Sequence, residues 1–123
     1  MIENLSYDMV FVEVPRFKRD VRKIMTEEEL EAVNNALAVA PKLGDPIPYG
    51  DGIRKLRWSL GNRGKSHGAR IIYFYRDNDM PLYLLAVYKK SQKINLRASE
   101  TKALVKLIEE LNEAHSVDEA INE

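Results

Sequence analysis

There is no cysteine among the 123 residues, which excludes disulfides and thiolate metal sites and leaves nothing pointing to an oxidising compartment. No apolar run approaches the roughly 18 residues that a membrane helix requires. The opening "MIENLSYDMVFVEV" lacks the cationic start and apolar stretch of a signal peptide. A cytoplasmic protein without membrane contact is therefore expected. Internal repeats and low-complexity tracts are also absent. Net charge is missing too, because 19 Lys or Arg balance 19 Asp or Glu.

That balance hides a strong polarity. Between residues 50 and 97, eleven Lys or Arg face three Asp, whereas the rest of the chain holds eight cations and sixteen acids. The densest part is "RKLRWSLGNRGKSHGAR" (54–70), with six Lys or Arg, one His and no acid. Like charge at this density is repulsive, and an anionic partner is the usual compensation. The alternative from charge alone is a dipolar surface with no ligand.

The hydrophobic fraction of 45% suits an ordinary globular chain, and the length suffices for one core. One domain is expected over residues 1–114, with an acidic C-terminal tail, 115–123, that frays or takes its order from a partner. The apolar run at 9–14 is rich in β-branched residues and closes at Pro15, as a short strand before a helix does. Phe17, Val21 and Ile24 then fall on one helical face. In "TEEEL", Thr26 and Glu29 have the spacing of a capping box, and Leu30, Val33, Leu37 and Ala40 continue a buried stripe until Pro41. "PKLGDPIPYGDG" (41–52) reads as a loop. Three β-like runs follow at 53–59, 69–76 and 82–89, the last two joined by the turn-like "DNDMP", which predicts an antiparallel meander. "SETKALVKLIEELNEAH" places Leu104, Leu107, Ile108 and Leu111 on one side of an amphipathic helix. The expected fold is α+β: a small, antiparallel-rich sheet with helices against one side, in the order β-α-α-β-β-β-α.

Strand alternation sharpens the basic segment. In "IRKLRWS", Lys55 and Arg57 share one face while Leu56 and Trp58 point to the other, so an apolar side can pack while two cations stand open. The glycine-rich "GNRGKSHG" adds Arg63, Lys65 and His67, and Arg70 opens the next strand. Glycines let a backbone approach phosphate closely, but the Walker pattern that would indicate nucleotide binding is absent. "VYKKSQK" brings Lys89 and Lys90, with Lys93 just beyond, to the same sheet if the meander closes. Arg54, on the packing parity, is read as structural, bridging to a helix carboxylate. Trp58 is read as core or partner contact, the strand tyrosines as packing, and His67 as a solvated loop residue or a general acid.

"FVEVPRF", "LAVAPKLGDPIPYGDGIRKLRWSLGNRGKSHGARIIYFYR", "LYLLAVYKK" and a C-terminal helix together resemble the HigB branch of the RelE-type toxins of bacterial toxin–antitoxin systems. The likeness covers roughly residues 9–112. It implies a ribosome-dependent mRNA endonuclease that needs neither metal nor cofactor. It further implies a HigA-like helix-turn-helix antitoxin as partner, with operator DNA engaged only through the antitoxin complex. By the family pattern, Lys55 and Arg57 lie on the active strand and Arg70 meets transition-state charge. Lys89 or Lys90 supplies a fourth corner, and Arg63, Lys65, His67 and Lys93 hold RNA or the ribosome. The implied chemistry suits these residues. A 2′-hydroxyl attacks the adjacent phosphate, leaving a 2′,3′-cyclic phosphate, and clustered cations lower a lysine's affinity for its proton so that it can act as base. Two alternatives stand beside it: a catalytically weak or silent relative that grips RNA or the ribosome, and a DNA-binding regulator. The latter is disfavoured because no helix-turn-helix is visible. The acidic last helix, with Glu109, Glu110 and Glu113, is expected to avoid ribosomal RNA, leaving it or the first two helices for the antitoxin.

Overall fold

The computed structural model describes residues 9–48, 50–61, 68–92 and 96–122, with side chains described as far as Ala114. Its elements are β1 (Phe11–Glu13), α1 (Pro15–Ile24), α2 (Glu27–Val39), β2 (Asp45–Pro46), β3 (Ile53–Ser59), β4 (Gly68–Phe74), β5 (Leu82–Lys89) and α3 (Ala98–Asn122). They form one five-stranded sheet in the order β1-β5-β4-β3-β2. The expected meander β3-β4-β5 is antiparallel, while β1 joins the far side of β5 in parallel. Among the described residues no helix is long and apolar enough to cross a membrane.

Local signals set the helix ends. Pro15 occupies the first turn of α1, where its missing N–H costs nothing. Thr26 accepts from the Glu29 N–H at 3.1 Å, and Glu29 Oε1 accepts from the Thr26 N–H at 2.9 Å, so the capping box is complete. Toward its C-terminus α3 runs to Asn122, through the stretch expected to fray. Nothing between Ala98 and Asn122 is Gly or Pro, so no residue there obliges the helix to stop.

Two expectations about the architecture need correction. Helices cover both faces of the sheet, not one. Phe17, Val21 and Ile24 of α1 and Val33 and Leu37 of α2 pack with Leu56, Ile71, Tyr73 and Leu84. On the opposite face Leu104 and Ile108 of α3 pack with Ile53, Ile72, Phe74 and Leu85. The cause is that Ile71 to Phe74 and Leu84 to Tyr88 are buried without a break, so β4 and β5 are apolar on both sides and need cover on both. The 41–52 segment is also not wholly loop, since Asp45 and Pro46 pair with Lys55 and Arg54.

That segment is fixed by buried hydrogen bonds. Tyr73, fully buried in β4, donates its hydroxyl to the Pro41 carbonyl at 2.7 Å and accepts from the Gly44 N–H at 2.9 Å. Burial holds this hydroxyl above the usual tyrosine range, with the Gly44 N–H opposing, so it remains protonated and able to donate. Arg54 donates to the Gly44 carbonyl at 2.7 Å and the Lys42 carbonyl at 3.3 Å, so its partners are loop carbonyls and not the helix carboxylate anticipated. Gly44 is required: a Cβ there would lie 2.8 Å from the Tyr73 ring and 2.9 Å from the Lys55 carbonyl oxygen. At the other end Asp51 and Gly52 both have positive φ, 46° and 95°, and the Ile53 N–H closes the turn on the Gly50 carbonyl.

Replacing Tyr73 with Phe strands the buried Gly44 N–H as well as the Pro41 carbonyl. Urea unfolding of Tyr73→Phe is expected to show a loss of about 1–3 kcal/mol, seen as a lower midpoint at unchanged slope.

Candidate functional site

Register brings the cations together. In β3 the side chains alternate so that Leu56 enters the core beneath α1 and α2 while Lys55 and Arg57 point to the α3 side. Arg57 stands directly opposite Arg70 of β4, and Arg70 opposite Tyr88 of β5. Lys55 pairs with Ile72, one step along the same face, so both arginines are its near neighbours. Arg70 is steadied by donating to the Ala69 carbonyl at 3.2 Å. Directly opposed like charges oppose strand pairing, so this row weakens the sheet rather than supporting it.

The row borders a cleft. Because α3 packs over the sheet only from Leu104 onward, its first turns and the 45–48 segment stand apart and enclose about 680 Å³. Pro46, Ile47, Pro48, Ile72 and Leu96 give it largely apolar walls. Lys55, Arg57, Lys102, Thr101 and Asp45 supply its polar groups. A smaller groove of about 270 Å³ runs along the outer side of β3 past Leu43 and Trp58 and shares only Asp45, Lys55 and Arg57 with the cleft. The two cations therefore sit where two depressions meet.

Lys55 is the perturbed group. Partial burial, then the Arg57 and Arg70 guanidiniums, push its ammonium below the ordinary lysine range, and Asp45 across the β2–β3 pair partly opposes them. Tyr88 moves upward, chiefly by burial, with Arg70 countering and Glu100 adding to the rise. Glu100 is itself engaged at the start of α3. It accepts from the Arg97 N–H at 2.9 Å and from Arg16 of α1 at 3.2 Å, which ties the two helix starts together around the sheet.

Not every expected residue joins this cluster. Lys55, Arg57 and Arg70 do. Lys89 lies opposite Ala69, on the α1 side, where it borders a hollow with Arg16, Asp20 and Lys23. The reason is a bulge. Tyr73 pairs with Leu84 but Ile72 with Ala86, so Leu85 is an extra residue and every later side chain of β5 changes face. Lys90 is exposed in the turn after β5, its N–H bonded to the Gly68 carbonyl at 2.9 Å. Arg63, Lys65, His67 and Lys93 lie outside the described residues. Trp58 packs half-buried against the α1–α2 core. Among the described residues no three His, Asp or Glu side chains gather as a metal cage.

Asp45, Thr101 and Lys102 were not foreseen at the site. Ala98, Thr101 and Lys102 have i, i+3, i+4 spacing, so the sequence did carry a shared face for them. What it did not carry was the angle at which that face meets the sheet.

The Lys55 shift has a stability consequence with a definite sign. Its folded proton affinity lies below the unfolded value of about 10.4, so the protonated form is penalised by folding. The penalty is complete below the folded value and disappears as pH rises toward the unfolded one. Lys55→Met is therefore expected to melt at a higher temperature than the parent near neutral pH. That advantage should shrink as pH is raised toward about 10. Thermal melts across this range check it, and an advantage that widens with pH would contradict it.

Comparison with known families matches residues 12–122 to the model of the RelE toxin of the RelE/RelB toxin–antitoxin system. The match takes in every strand of the cationic face, both walls of the cleft and all of α3. An antitoxin partner goes with such membership. With a sheet wrapped by helices, a row of cations on its α3 side and a match over almost its whole length, the chain belongs to the RelE toxin family.

Proposed function

We propose that this protein is a HigB-like toxin that arrests translation by cutting mRNA on the ribosome. The observation that carries the reading is the convergence of Lys55, Arg57 and Arg70 beside an open cleft, with Lys55 held below the ordinary lysine range. A lysine that gives up its proton more easily can accept one from a ribose 2′-hydroxyl. The 2′ oxygen then attacks the adjacent phosphorus, the bond from phosphorus to the 5′ oxygen breaks, and a 2′,3′-cyclic phosphate remains. The departing 5′ oxygen takes a proton from water at the cleft's mouth. Arg57 and Arg70, fixed opposite each other, meet the negative charge that builds on the phosphorane. No step in this scheme calls for a metal or an organic cofactor.

A weaker, binding-only reading has one observation in its favour. Lys89 faces away from the cluster and Lys90 is exposed in the turn beyond β5, so among the described residues neither lysine expected as the fourth corner joins Lys55, Arg57 and Arg70. Grip without cutting would then arrest translation electrostatically.

Incubating mRNA with translating ribosomes and mapping the new ends separates the two. Wild-type protein is expected to yield 2′,3′-cyclic phosphate and 5′-hydroxyl ends, and Lys55→Ala, Arg57→Ala or Arg70→Ala to cut about 10²–10⁴-fold more slowly. Arrest without new ends would sink the nuclease and leave the grip.

A further inference from the structure

Resting on the ribonuclease reading above, we infer that the cleft beside α3 is a nucleobase site: an unstacked base next to the reacting phosphate enters it and is read there. A phosphate held by Lys55 and Arg57 lies at the rim of the cleft, so a base attached to the same nucleotide has an adjacent enclosure within reach. The enclosure is too large and too apolar for phosphate alone. Its about 680 Å³ falls within the size range of small-molecule sites, and such sites combine apolar walls with a few placed polar groups.

The walls have the character that a base face needs. Pro46, Ile47 and Pro48 offer flat aliphatic surface on one side and Leu96 and Ala98 on the other, while Ile72 forms part of the lining on the sheet. The base edge meets groups of both kinds. The Asp45 carboxylate accepts from exocyclic amines, the Lys102 ammonium donates to ring carbonyls or ring nitrogens, and the Thr101 hydroxyl does either. Single-stranded RNA is commonly recognised in this way, with its bases unstacked and read along their edges.

The enclosure is also pre-formed. Tyr73 and Arg54 pin the 41–44 segment, and the Glu100 ties to Arg97 and Arg16 fix the start of α3. A rigid slot selects among bases at lower entropic cost than a mobile loop. Specificity is thereby assigned to the 45–48 segment and the first turns of α3, whereas the cutting strand supplies charge that is indifferent to sequence.

The test reads binding without chemistry. ¹⁵N-labelled protein is titrated with the 3′-monophosphates of adenosine, cytidine, guanosine and uridine, and separately with ribose 5-phosphate, which has the charge but no base. The nucleotides are expected to bind about tenfold or more tighter than ribose 5-phosphate, because the base buries apolar surface against the cleft's aliphatic walls, with unequal affinities among the four. Their amide shifts should include Ile47, Ile72, Ala98 and Thr101, whereas ribose 5-phosphate should move only the Lys55, Arg57 and Arg70 region. Ala98 is exposed on the first turn of α3, so Ala98→Phe fills the slot without touching the core. It should abolish the preference for a base and leave ribose 5-phosphate affinity unchanged. Equal affinity for ligands with and without a base would overturn the inference, as would a preference that survives Ala98→Phe. Base-dependent shifts confined to Leu43 and Trp58 would overturn it by putting the base in the outer groove. The outcome is independent of cutting: base selection with no RNA cleavage would refute only the nuclease, and cleavage with no base selection only the slot.

Discussion

The register between β3 and β4 is the constraint on which everything else rests. Leu56 against Ile71 anchors it from beneath and Ile53 against Phe74 at the strand's start, all four side chains buried. A slip of one residue would exchange the faces of β3, moving Leu56 out to the cleft side and carrying Lys55 and Arg57 into the core beneath α1 and α2, so the hydrophobic effect fixes the alignment strongly. Arg57 and Arg70 inherit their face-to-face placement from that alignment. Nothing in their own interaction would have chosen it, since two guanidiniums repel. The core thus does electrostatic work on behalf of the site.

Lys55 shows how that work is stored. A lone lysine on an open strand would keep its proton at any pH a cell maintains. Partial burial by the cleft's walls and two arginines on adjacent positions shift its balance toward the neutral form, and Asp45 limits the shift. The same crowding that costs stability creates a group with different acid–base behaviour, which is the usual relation between strain and function in a site.

Much of this was legible in the sequence because it depends on local periodicity. The capping box at Thr26, the stripe Phe17–Val21–Ile24, and the parity that separates Lys55 and Arg57 from Leu56 all follow from residue spacing. What failed to show was whatever depends on contacts between distant segments. "ARIIYFY" and "LYLLAVY" are apolar at nearly every position, a sign of strands buried on both faces, yet one-sided cover was inferred. Simple alternation from Leu82 and Leu84 would put Lys89 on the cation face. The extra residue Leu85 reverses that parity, and no residue type in "LLAV" announces a bulge. The cleft was invisible for a similar reason. Its walls come from residues near 46 and near 98, brought together only by the packing of α3 on the sheet.

Gly44 has a consequence for how such a molecule can diversify. Its backbone rests against the carbonyl of Lys55 with no room for a methyl group, and the Asp51–Gly52 turn secures the far end. The 45–48 stretch is therefore a cartridge, seated between two fixed points on a chassis that does not change. On the base-slot reading, exchanging its sequence retunes recognition while the strand behind it keeps its geometry, which makes this short insert the natural place for grafting.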